Sequence, residues 1–339
     1  MPKYTEKEIN VFFEKIKGLN IVIIGDVMID SYLWGNVDRI SPEAPVPIVA
    51  VNKRANRLGG AANVALNIKA MGAAPILCSV IGNDKQAEIF DELLHENELS
   101  RVGIQKNSNR ITTTKFRVIG NNMQMLRVDE EMDTPLLRSD QQKFIQNIQA
   151  IFNQHKIDAV IFQDYDKGVI TPDLIKKVNQ LCAENNIPVA VDPKKRNFEA
   201  YRNLTFFKPN LKELREGLGL NFDKSDFSSL RKAVRKLHQK QNLRIILATL
   251  SDAGVFVSQW LENDSFEDFH IPAHLRSIAD VSGAGDTVVS LATICLALGM
   301  KPAEVAAISN LGGGQVCESV GVVPVNPEKL KKEMLSLDF

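Results

Sequence analysis

The strongest constraint on the fold of this sequence is its alternation of short, β-branched apolar runs with longer amphipathic segments. The apolar runs have the length of strands, and the amphipathic segments have the hydrophobic spacing of helices. Such alternation predicts parallel pairing and a doubly wound α/β sheet, whose ligands bind at the carboxyl ends of the strands. The predicted strands are 21–25, 75–82, 158–164, 187–192, 204–210 and 244–250, and the predicted helices include 61–71, 87–97, 172–185 and 226–239.

Two segments interrupt this alternation, at about residues 31–52 and 111–130. The first contains three prolines among alternating apolar residues, and the second is typical of a β-hairpin with Asn121 and Asn122 in its turn. We expect the two segments to form one small antiparallel sheet that covers the site as a lid and excludes water. The alternative is an edge extension of the main sheet without this role.

The charge balance excludes some classes of partner. The 339 residues include 41 Lys and Arg and 41 Asp and Glu, so no net positive field attracts nucleic acid or anionic lipid. The four cysteines lie far apart without a CxxC pair, as expected of reduced core residues. The sequence shows no signal peptide and no apolar stretch long enough for a membrane span. We expect a cytoplasmic protein without nucleic-acid or membrane partners, folded as one domain over residues 1–339.

Several common motifs are missing from the sequence. It has no GxxxxGK[ST] phosphate loop, no HRD and DFG pair of a protein kinase and no HExxH cluster. His270 and His274 are four residues apart, but Pro272 between them prevents a shared helix face. A first-strand GxGxxG, which an NAD-dependent dehydrogenase needs, is also absent.

The stretch DVSGAGDTVV, residues 280–289, places an acid directly after three small residues. If a helix begins near Ala284, its unpaired N–H groups beside Gly283 and Gly285 form a site for a phosphate. Asp286 then lies in the first turn, where the helix dipole favours its charged form. A carboxylate base beside an anion site is what phosphoryl transfer requires. The alternatives are a plain helix start and a dinucleotide-binding turn, although the third glycine of GxGxxG is missing.

A second glycine pair occurs in LGGAANVALNI, residues 58–68. Gly59 and Gly60 precede a predicted helix whose first turn contains Asn63. An amide side chain suits sugar hydroxyls because it both donates and accepts hydrogen bonds. The alternative is a tight strand–helix turn in which Asn63 is only a capping group.

Together, the two glycine sites resemble the paired motifs of the ribokinase-like (PfkB-type) carbohydrate kinases. GGAANVALNIKAMG matches the first motif in spacing and DVSGAGDTVV the second, except that Leu291 stands where a small residue is usual. The resemblance extends over about residues 18–330, where GDVMID, VDPK, KPNLKE and TLSDAG occur in the order typical of the family. It implies a ribokinase-like fold and a sugar kinase that uses ATP and Mg²⁺.

Within the family, RISPEAPVP (39–47) and QDYDKG (163–168) look like the kinase domain of ADP-heptose synthesis. That domain phosphorylates O1 of D-glycero-β-D-manno-heptose 7-phosphate with ATP, for the lipopolysaccharide core. It is often fused to a nucleotidyltransferase domain with an HxGH-type motif, which is missing here, so the resemblance implies the stand-alone kinase. Two further departures are Gln163 in place of a serine and GVVPVNP (321–327) in place of a Gly-Thr-rich ending.

Two other functions remain open from the sequence. One is a kinase of the same fold that acts on a hexose phosphate, ribose or a nucleoside. The other is a non-catalytic sensor of sugars or nucleotides on a kinase fold, against which the intact Asp286 and its glycines argue.

The resemblance assigns the chemistry to the second motif. Asp286 would take the proton from the anomeric hydroxyl, and the N–H groups of Gly283, Ala284 and Gly285 would bind the transferring phosphoryl group. The residues implied to hold the sugar hydroxyls are Asp30, Gly59, Gly60 and Asn63.

The resemblance also implies where the nucleotide and metal bind. Mg²⁺ would be held mainly through water, by Asn210, Glu213 and Asp192. The residues implied to border the nucleotide are Asn210, Lys194, Thr249, Gly254, Gly283, Gly285 and Asn310.

Phosphates of the substrate are expected near the strand ends and the lid. Asp164 and Lys167 follow a predicted strand, and Arg39, Arg117 and Arg127 are candidates for the distal phosphate of the sugar. The alternative for each arginine is a solvent-exposed lid residue. Because lids pair two subunits in parts of this family, the resemblance also implies a homodimer through the β lid.

Overall fold

The computed structural model describes residues 4–262 and 264–336. Its strands, in chain order, are β1 (Asn20–Gly25), β2 (Val27–Ile40), β3 (Pro47–Gly60), β4 (Ala74–Ile81), β5 (Gly103–Lys106), β6 (Thr114–Gly120), β7 (Met123–Glu130), β8 (Ala159–Gln163), β9 (Val189–Asp192), β10 (Phe206–Phe207), β11 (Ile245–Thr249), β12 (Val255–Trp260) and β13 (Phe266–Ile271).

The helices lie between these strands and at both ends of the described chain. In order they are α1 (Glu6–Ile16), α2 (Ala61–Ala70), α3 (Lys85–Glu96), α4 (Arg138–Gln154), α5 (Pro172–Glu184), α6 (Leu211–Leu218), α7 (Phe227–Gln241), α8 (Ala284–Ala297), α9 (Pro302–Val316) and α10 (Pro327–Leu335). Among the residues that the structure describes, no helix combines the length and the apolar composition that a membrane crossing requires.

The main sheet has the strand order β13-β12-β11-β10-β9-β8-β1-β4-β5. Pairing is parallel from β5 to β11, and β12 and β13 add an antiparallel edge. Alternate residues of β1 face the two sides: Ile21 and Ile23 pack with α2, α8 and α9, whereas Val22 and Ile24 pack with α4, α5 and α7. Both faces of the sheet are therefore buried, which explains why its strands read as continuous apolar runs. The predicted doubly wound α/β architecture is confirmed.

Helix α8 is buried on all sides, because it packs between α2 and α9 on the main sheet. Every residue from Asp286 to Cys295 is buried. Leu291, the large residue at a usually small position, fits because Gly312 of α9 faces it; a Cβ on Gly312 would lie 2.1 Å from Leu291 Cδ1. This packing fixes the start of α8 at the centre of the molecule.

The four-stranded lid sheet has the order β3-β2-β6-β7. It consists of two antiparallel hairpins, and β2 of one pairs in parallel with β6 of the other. Strand β2 begins two residues after the end of β1, and β6 begins eight residues after the end of β5. Asn121 and Asn122 form the predicted turn, with φ values of 50° and 63°. Strand β3 extends to Gly60, beyond the predicted segment, and leads directly into α2.

Candidate active site

Polar side chains converge where β1, β8 and β9 end. Asp26 follows β1, Gln163 and Asp192 are the last residues of β8 and β9, and Asn63 and Asp286 lie in the first turns of α2 and α8. This is the carboxyl edge of the parallel strands, where doubly wound sheets bind ligands. The two helix starts are joined directly, because Asn63 Nδ2 donates a hydrogen bond to Asp286 Oδ2 at 2.8 Å.

Helix α8 begins at Ala284, where the sequence predicts it. Gly283 precedes it with a left-handed φ of 81°, a conformation that favours glycine, and no side chain caps the helix. The N–H of Ala284 donates to the Val281 carbonyl at 3.3 Å, and the remaining N–H groups of the first turn, with the helix dipole, can receive an anion. A Cβ on Gly285 would lie 3.6 Å from both Asp192 Oδ2 and Lys208 Nζ, so this bare backbone adjoins charged groups.

Asp286 is 4 % exposed, and three donors hold its carboxylate. The Tyr165 hydroxyl and Gln163 Nε2 donate to Oδ1 at 2.6 and 3.0 Å, and Asn63 donates to Oδ2. Burial raises the pKa of Asp286 to about 6, since the hydrogen bonds from Asn63 and Tyr165 offset only part of the desolvation. At neutral pH the group is an ionised carboxylate that can accept a proton.

The neighbouring carboxylates are paired with lysines. Asp192 Oδ1 lies 3.0 Å from Lys208 Nζ, and Glu213 pairs with Lys194. Glu213 also forms a capping box with Asn210 at the start of α6, where each side chain bonds the backbone N–H of the other residue. Although burial opposes it, the Asp192 and Glu213 carboxylates hold the pKa of Lys194 above its usual value. The result is a row of alternating charges beside α8, formed by Lys208, Asp192, Lys194 and Glu213.

The residues expected to hold Mg²⁺ can do so through water. In the described parts of the chain, no group of three or more His, Cys, Asp or Glu is arranged to bind a metal ion directly. Both carboxylate oxygens of Glu213 are engaged, one by Asn210 N–H and one by Lys194. The carboxylates and the amide oxygen of this set are the ligands that Mg²⁺ prefers, and Mg²⁺ usually retains several waters.

The residues expected to bind the sugar lie where β2 and β3 meet α2. Asp30 is 3 % exposed and accepts a hydrogen bond from Arg117 Nη1 at 2.5 Å. Gly59 lies directly against it, since a Cβ there would be 2.4 Å from Asp30 Oδ2. Gly60 forms the turn into α2, and the fully buried Asn63 has an Oδ1 without a hydrogen-bond partner among the described residues. That orphaned acceptor suits a hydroxyl donor.

The loop after β8 is held by Asp26, which the sequence places among the candidate residues at the strand ends without a specific role. The Asp26 carboxylate accepts hydrogen bonds from the backbone N–H groups of Tyr165, Lys167 and Val169, at 2.9, 3.1 and 3.1 Å. These bonds fix the loop and place Tyr165 beside Asp286. The Lys167 ammonium group pairs with a lid residue, Glu131, at 2.8 Å.

Asp164 lies in the same loop and is 1 % exposed. Its Oδ2 accepts hydrogen bonds from Asn197 Nδ2 at 2.9 Å and from the Tyr201 hydroxyl at 2.8 Å. Its Oδ1 accepts one from the Asp166 N–H at 2.9 Å. Burial raises the pKa of Asp164 to about 6. Its hydrogen bonds are therefore made inside the protein, where they support the loop.

The residues expected to border the nucleotide fall into two places. Thr249, the last residue of β11, forms a β-bridge with Asn210. Gly254 lies against the end of β13 and the backbone that follows it, where a Cβ would be 2.1 Å from Ile271 O and 2.6 Å from Ala273 N. Asn310 on α9 donates to the Pro272 carbonyl at 2.9 Å, so it contacts the same backbone.

Arg117 is joined by a second lid arginine that the sequence analysis did not select. The guanidinium groups of Arg117 and Arg57 lie 5.2 and 5.1 Å from the centre of the Tyr32 ring. Arg57 also donates to the Val322 carbonyl at 3.3 Å, which connects the lid to the segment after α9. It was missed because β3 continues past the predicted lid segment.

The other two lid arginines are more exposed. Arg127 is 51 % exposed and pairs with Asp129 at 2.9 Å. Arg39 is an exposed residue of β2 and faces Ile48 in the register.

Sequence reasoning also missed three residues at the centre of the site. Gln163 was noted only as a departure from the family pattern, Tyr165 was quoted only within QDYDKG, and Lys208 only within KPNLKE. Lys208 did carry a usable signal, because a lysine that ends the apolar run LTFF is expected to be buried only with a charge partner. The structure buries it at 2 % exposure against Asp192.

A doubly wound sheet, a β lid, and a buried carboxylate beside an uncapped helix start define a ribokinase-like phosphotransferase. A family model described as pfkB family carbohydrate kinase matches residues 19–329. The chain belongs to this family of carbohydrate kinases, which are phosphotransferases with an alcohol group as the acceptor.

Curated relatives are similar over most of this chain. The bifunctional protein HldE of Syntrophotalea carbinolica is 36% identical over 326 residues, which cover 95% of this chain and 64% of the relative. The bifunctional protein HldE of Citrifermentans bemidjiense is 35% identical, covering 97% of this chain and 66% of the relative. The chain thus spans slightly less than two thirds of the length of these relatives.

Solved structures share the fold at low sequence identity. Phosphofructokinase-2 from Escherichia coli superposes with a TM-score of 0.73 at 16% identity, covering 93% of this chain and 99% of that one. Ribokinase of Arabidopsis thaliana, complexed with ribose and ATP, gives a TM-score of 0.68 at 15% identity, covering 94% and 99%. The ribokinase-like fold is confirmed.

Proposed function

We propose that the protein transfers the γ-phosphoryl group of ATP to O1 of D-glycero-β-D-manno-heptose 7-phosphate, a step toward ADP-heptose. The choice of sugar is supported by the similarity to the HldE proteins and by RISPEAPVP and QDYDKG. One observation carries the chemistry: the Asp286 carboxyl group is buried beside the uncapped start of α8.

In the proposed reaction, Asp286 takes the proton of the O1 hydroxyl as O1 attacks the γ-phosphorus. The O1–P bond forms, the bond from phosphorus to the β–γ bridging oxygen breaks, and ADP leaves. The N–H groups of Gly283, Ala284 and Gly285 stabilise the charge of the transferring group, together with the dipole of α8. Asp30 and Asn63, with the close backbone of Gly59 and Gly60, orient the sugar hydroxyls.

The nucleotide is proposed to lie along the row of charges beside α8. Asn210, Glu213 and Asp192 would hold Mg²⁺ through its waters, and the ion would supply positive charge that offsets the charge of the phosphates. Lys194 adds a cation that the neighbouring carboxylates keep protonated. Thr249, Gly254 and Asn310 border the rest of the nucleotide.

The distal phosphate of the sugar is proposed to bind Arg117. It is the lid arginine that already contacts a sugar-binding residue, Asp30, and Arg57 provides a second guanidinium against the same tyrosine ring. Lys167 is the further candidate on the β8 loop. Arg39 and Arg127 are weaker candidates, since both are exposed.

A homodimer through the lid is proposed from the apolar residues that the lid exposes. Ile40, Val46, Met123, Leu126 and Val128 are each at least 45 % exposed on β2, β7 and the loop after β2. Burying these side chains between two subunits is favourable in proportion to the apolar area removed from water. Sedimentation of the wild type beside a variant with Leu126 and Val128 changed to serine tests this, and the dimer is expected only for the wild type.

The function is tested by measuring ADP release with heptose 7-phosphate beside a hexose phosphate, ribose and a nucleoside. We expect the highest kcat/KM for heptose 7-phosphate, and Mg²⁺ dependence of that turnover. A higher kcat/KM for another sugar would assign the enzyme to that sugar instead. Sugar or nucleotide binding without any ADP release would favour a sensor.

A further inference from the structure

The two oxygens of the Asp286 carboxylate are unequally occupied. Oδ1 accepts hydrogen bonds from Tyr165 and Gln163, whereas Oδ2 accepts one from Asn63. Because each carboxylate oxygen offers about two lone-pair directions, Oδ1 is saturated and Oδ2 retains one acceptor position. Oδ2 is therefore the oxygen that can take a proton from a hydroxyl.

The donor to Oδ2 lies beside the start of α8, since Asn63 Nδ2 is 3.0 Å from where a Cβ on Gly283 would stand. A hydroxyl that approaches Oδ2 would thus come close to the N–H groups proposed to hold the transferring phosphoryl group. A partial rotation of the carboxylate about its Cβ–Cγ bond would move Oδ2 out of this alignment, whereas a half turn only exchanges two equivalent oxygens.

Both donors to Oδ1 are fixed by groups outside α8. Gln163 ends β8, is 1 % exposed, and donates a second hydrogen bond to Asp192 Oδ2 at 3.3 Å. Tyr165 is held through its backbone N–H by Asp26, and Lys194 Nζ lies 5.6 Å from the centre of its ring. The orientation of the carboxylate is therefore set by the strand ends.

We propose that Gln163 and Tyr165 are positioning residues that occupy Oδ1 of Asp286 and so direct Oδ2 toward the acceptor hydroxyl. The inference rests on the proposed role of Asp286 as the base. Because these residues act on the orientation of the base, their loss lowers kcat and leaves the KM values nearly unchanged.

The test uses Tyr165→Phe and Gln163→Met, each with a matched control elsewhere in the core. Tyr201→Phe removes a tyrosine–carboxylate hydrogen bond at Asp164, and Gln241→Met removes two hydrogen bonds from a buried amide to backbone carbonyls. With the best acceptor sugar, we expect kcat of the two site variants to fall about 10-fold to 100-fold. KM for sugar and ATP should stay within about twofold, as should kcat of the controls. Thermal unfolding, measured in parallel, should shift by similar amounts in each matched pair.

Two results would overturn the proposal: site variants whose kcat matches the controls, or a raised KM for the sugar with unchanged kcat, which would indicate substrate contact. If Gln163→Met does not fold, Tyr165→Phe decides alone, because it removes a single oxygen atom. Because both residues hold the same oxygen, the double variant should lose less than the product of the single losses. Asp286→Asn separates the two hypotheses: near-normal turnover in that variant refutes the base itself, whereas an inactive Asp286→Asn with a control-like Tyr165→Phe refutes only the positioning role.

Discussion

Asp286 and Asp164 are both buried carboxylates, and each accepts hydrogen bonds from one tyrosine hydroxyl and one asparagine amide. Burial raises the pKa of each to about 6. The tyrosine and asparagine donors are Tyr165 and Asn63 at 2.6 and 2.8 Å for Asp286, and Tyr201 and Asn197 at 2.8 and 2.9 Å for Asp164.

The two carboxylates differ in what lies next to them. Asp286 is in the first turn of α8, beside bare glycine backbone and an uncapped helix start. Asp164 is enclosed, since the Asp166 N–H occupies its other oxygen and its partner Asn197 also donates to the Ile170 carbonyl. A raised pKa is therefore common to both carboxylates, and the bare glycine backbone at an uncapped helix start distinguishes Asp286 as the proposed base.

The largest expected effect on kcat distinguishes Asp286 from Asp164. Asp286→Asn removes the proposed base and should lower kcat by about 10²–10⁴-fold. Asp164→Asn should act mainly through the stability of the loop, with a lowered unfolding temperature and a much smaller loss of kcat. Steady-state ADP release and thermal unfolding of both variants check this, and a larger kcat loss in Asp164→Asn would reverse the assignment.

The pH profile sharpens the comparison. Asp286 acts as a base only when ionised, and burial raises its pKa to about 6. Protonation below that pH should lower kcat/KM by about tenfold per pH unit. Asp164→Asn should keep this acid limb at the same pH, because Asp286 is unchanged. Loss of the limb in that variant would show that Asp164 is the titrating group.

Gly285→Ala tests the bare backbone that distinguishes the Asp286 site. The added Cβ makes only ordinary contacts, 3.6 Å from Asp192 Oδ2 and Lys208 Nζ, so the protein should fold. The methyl group would occupy space needed by a phosphate, and kcat/KM for ATP should fall by about 10-fold or more. Gly18→Ala is the control, since a Cβ there meets nothing within 4 Å. Equal kcat/KM in the two variants would argue against the anion site.

The smallest effect on activity is expected at the enclosed carboxylate. Asn197→Ala removes a donor to Asp164 and should lower the free energy of unfolding by about 1–3 kcal/mol. Turnover should stay within about twofold, because the hydrogen bonds of Asp286 are intact. Chemical denaturation and ADP release measure both quantities. A kcat loss without a stability loss would place Asp164 in the reaction.

The main sheet and both helix starts could be predicted because their signals are local. Apolar runs with helical segments between them indicate parallel strands, and Gly59-Gly60 and Gly283 mark turns that require small residues. Two features of the lid could not be predicted from the sequence: the parallel pairing of β2 with β6 and the length of β3. Exposed lid strands lack the continuous apolar pattern that identifies buried strands.

The sequence by itself determined the doubly wound fold, the helix that begins at Ala284, and the acid in its first turn, because backbone geometry and hydrophobic spacing depend on near neighbours. Only the tertiary structure decided which side chains hold that acid. Asn63 and Asp286 are separated by 223 residues, and Tyr165 and Asp286 by 121. Such contacts depend on which strand ends lie next to each other in the fold. The same holds for the hydrogen bonds of Asp26 to the β8 loop and for the placement of Arg57 and Arg117 at the Tyr32 ring. No local sequence pattern specifies which strand ends are neighbours.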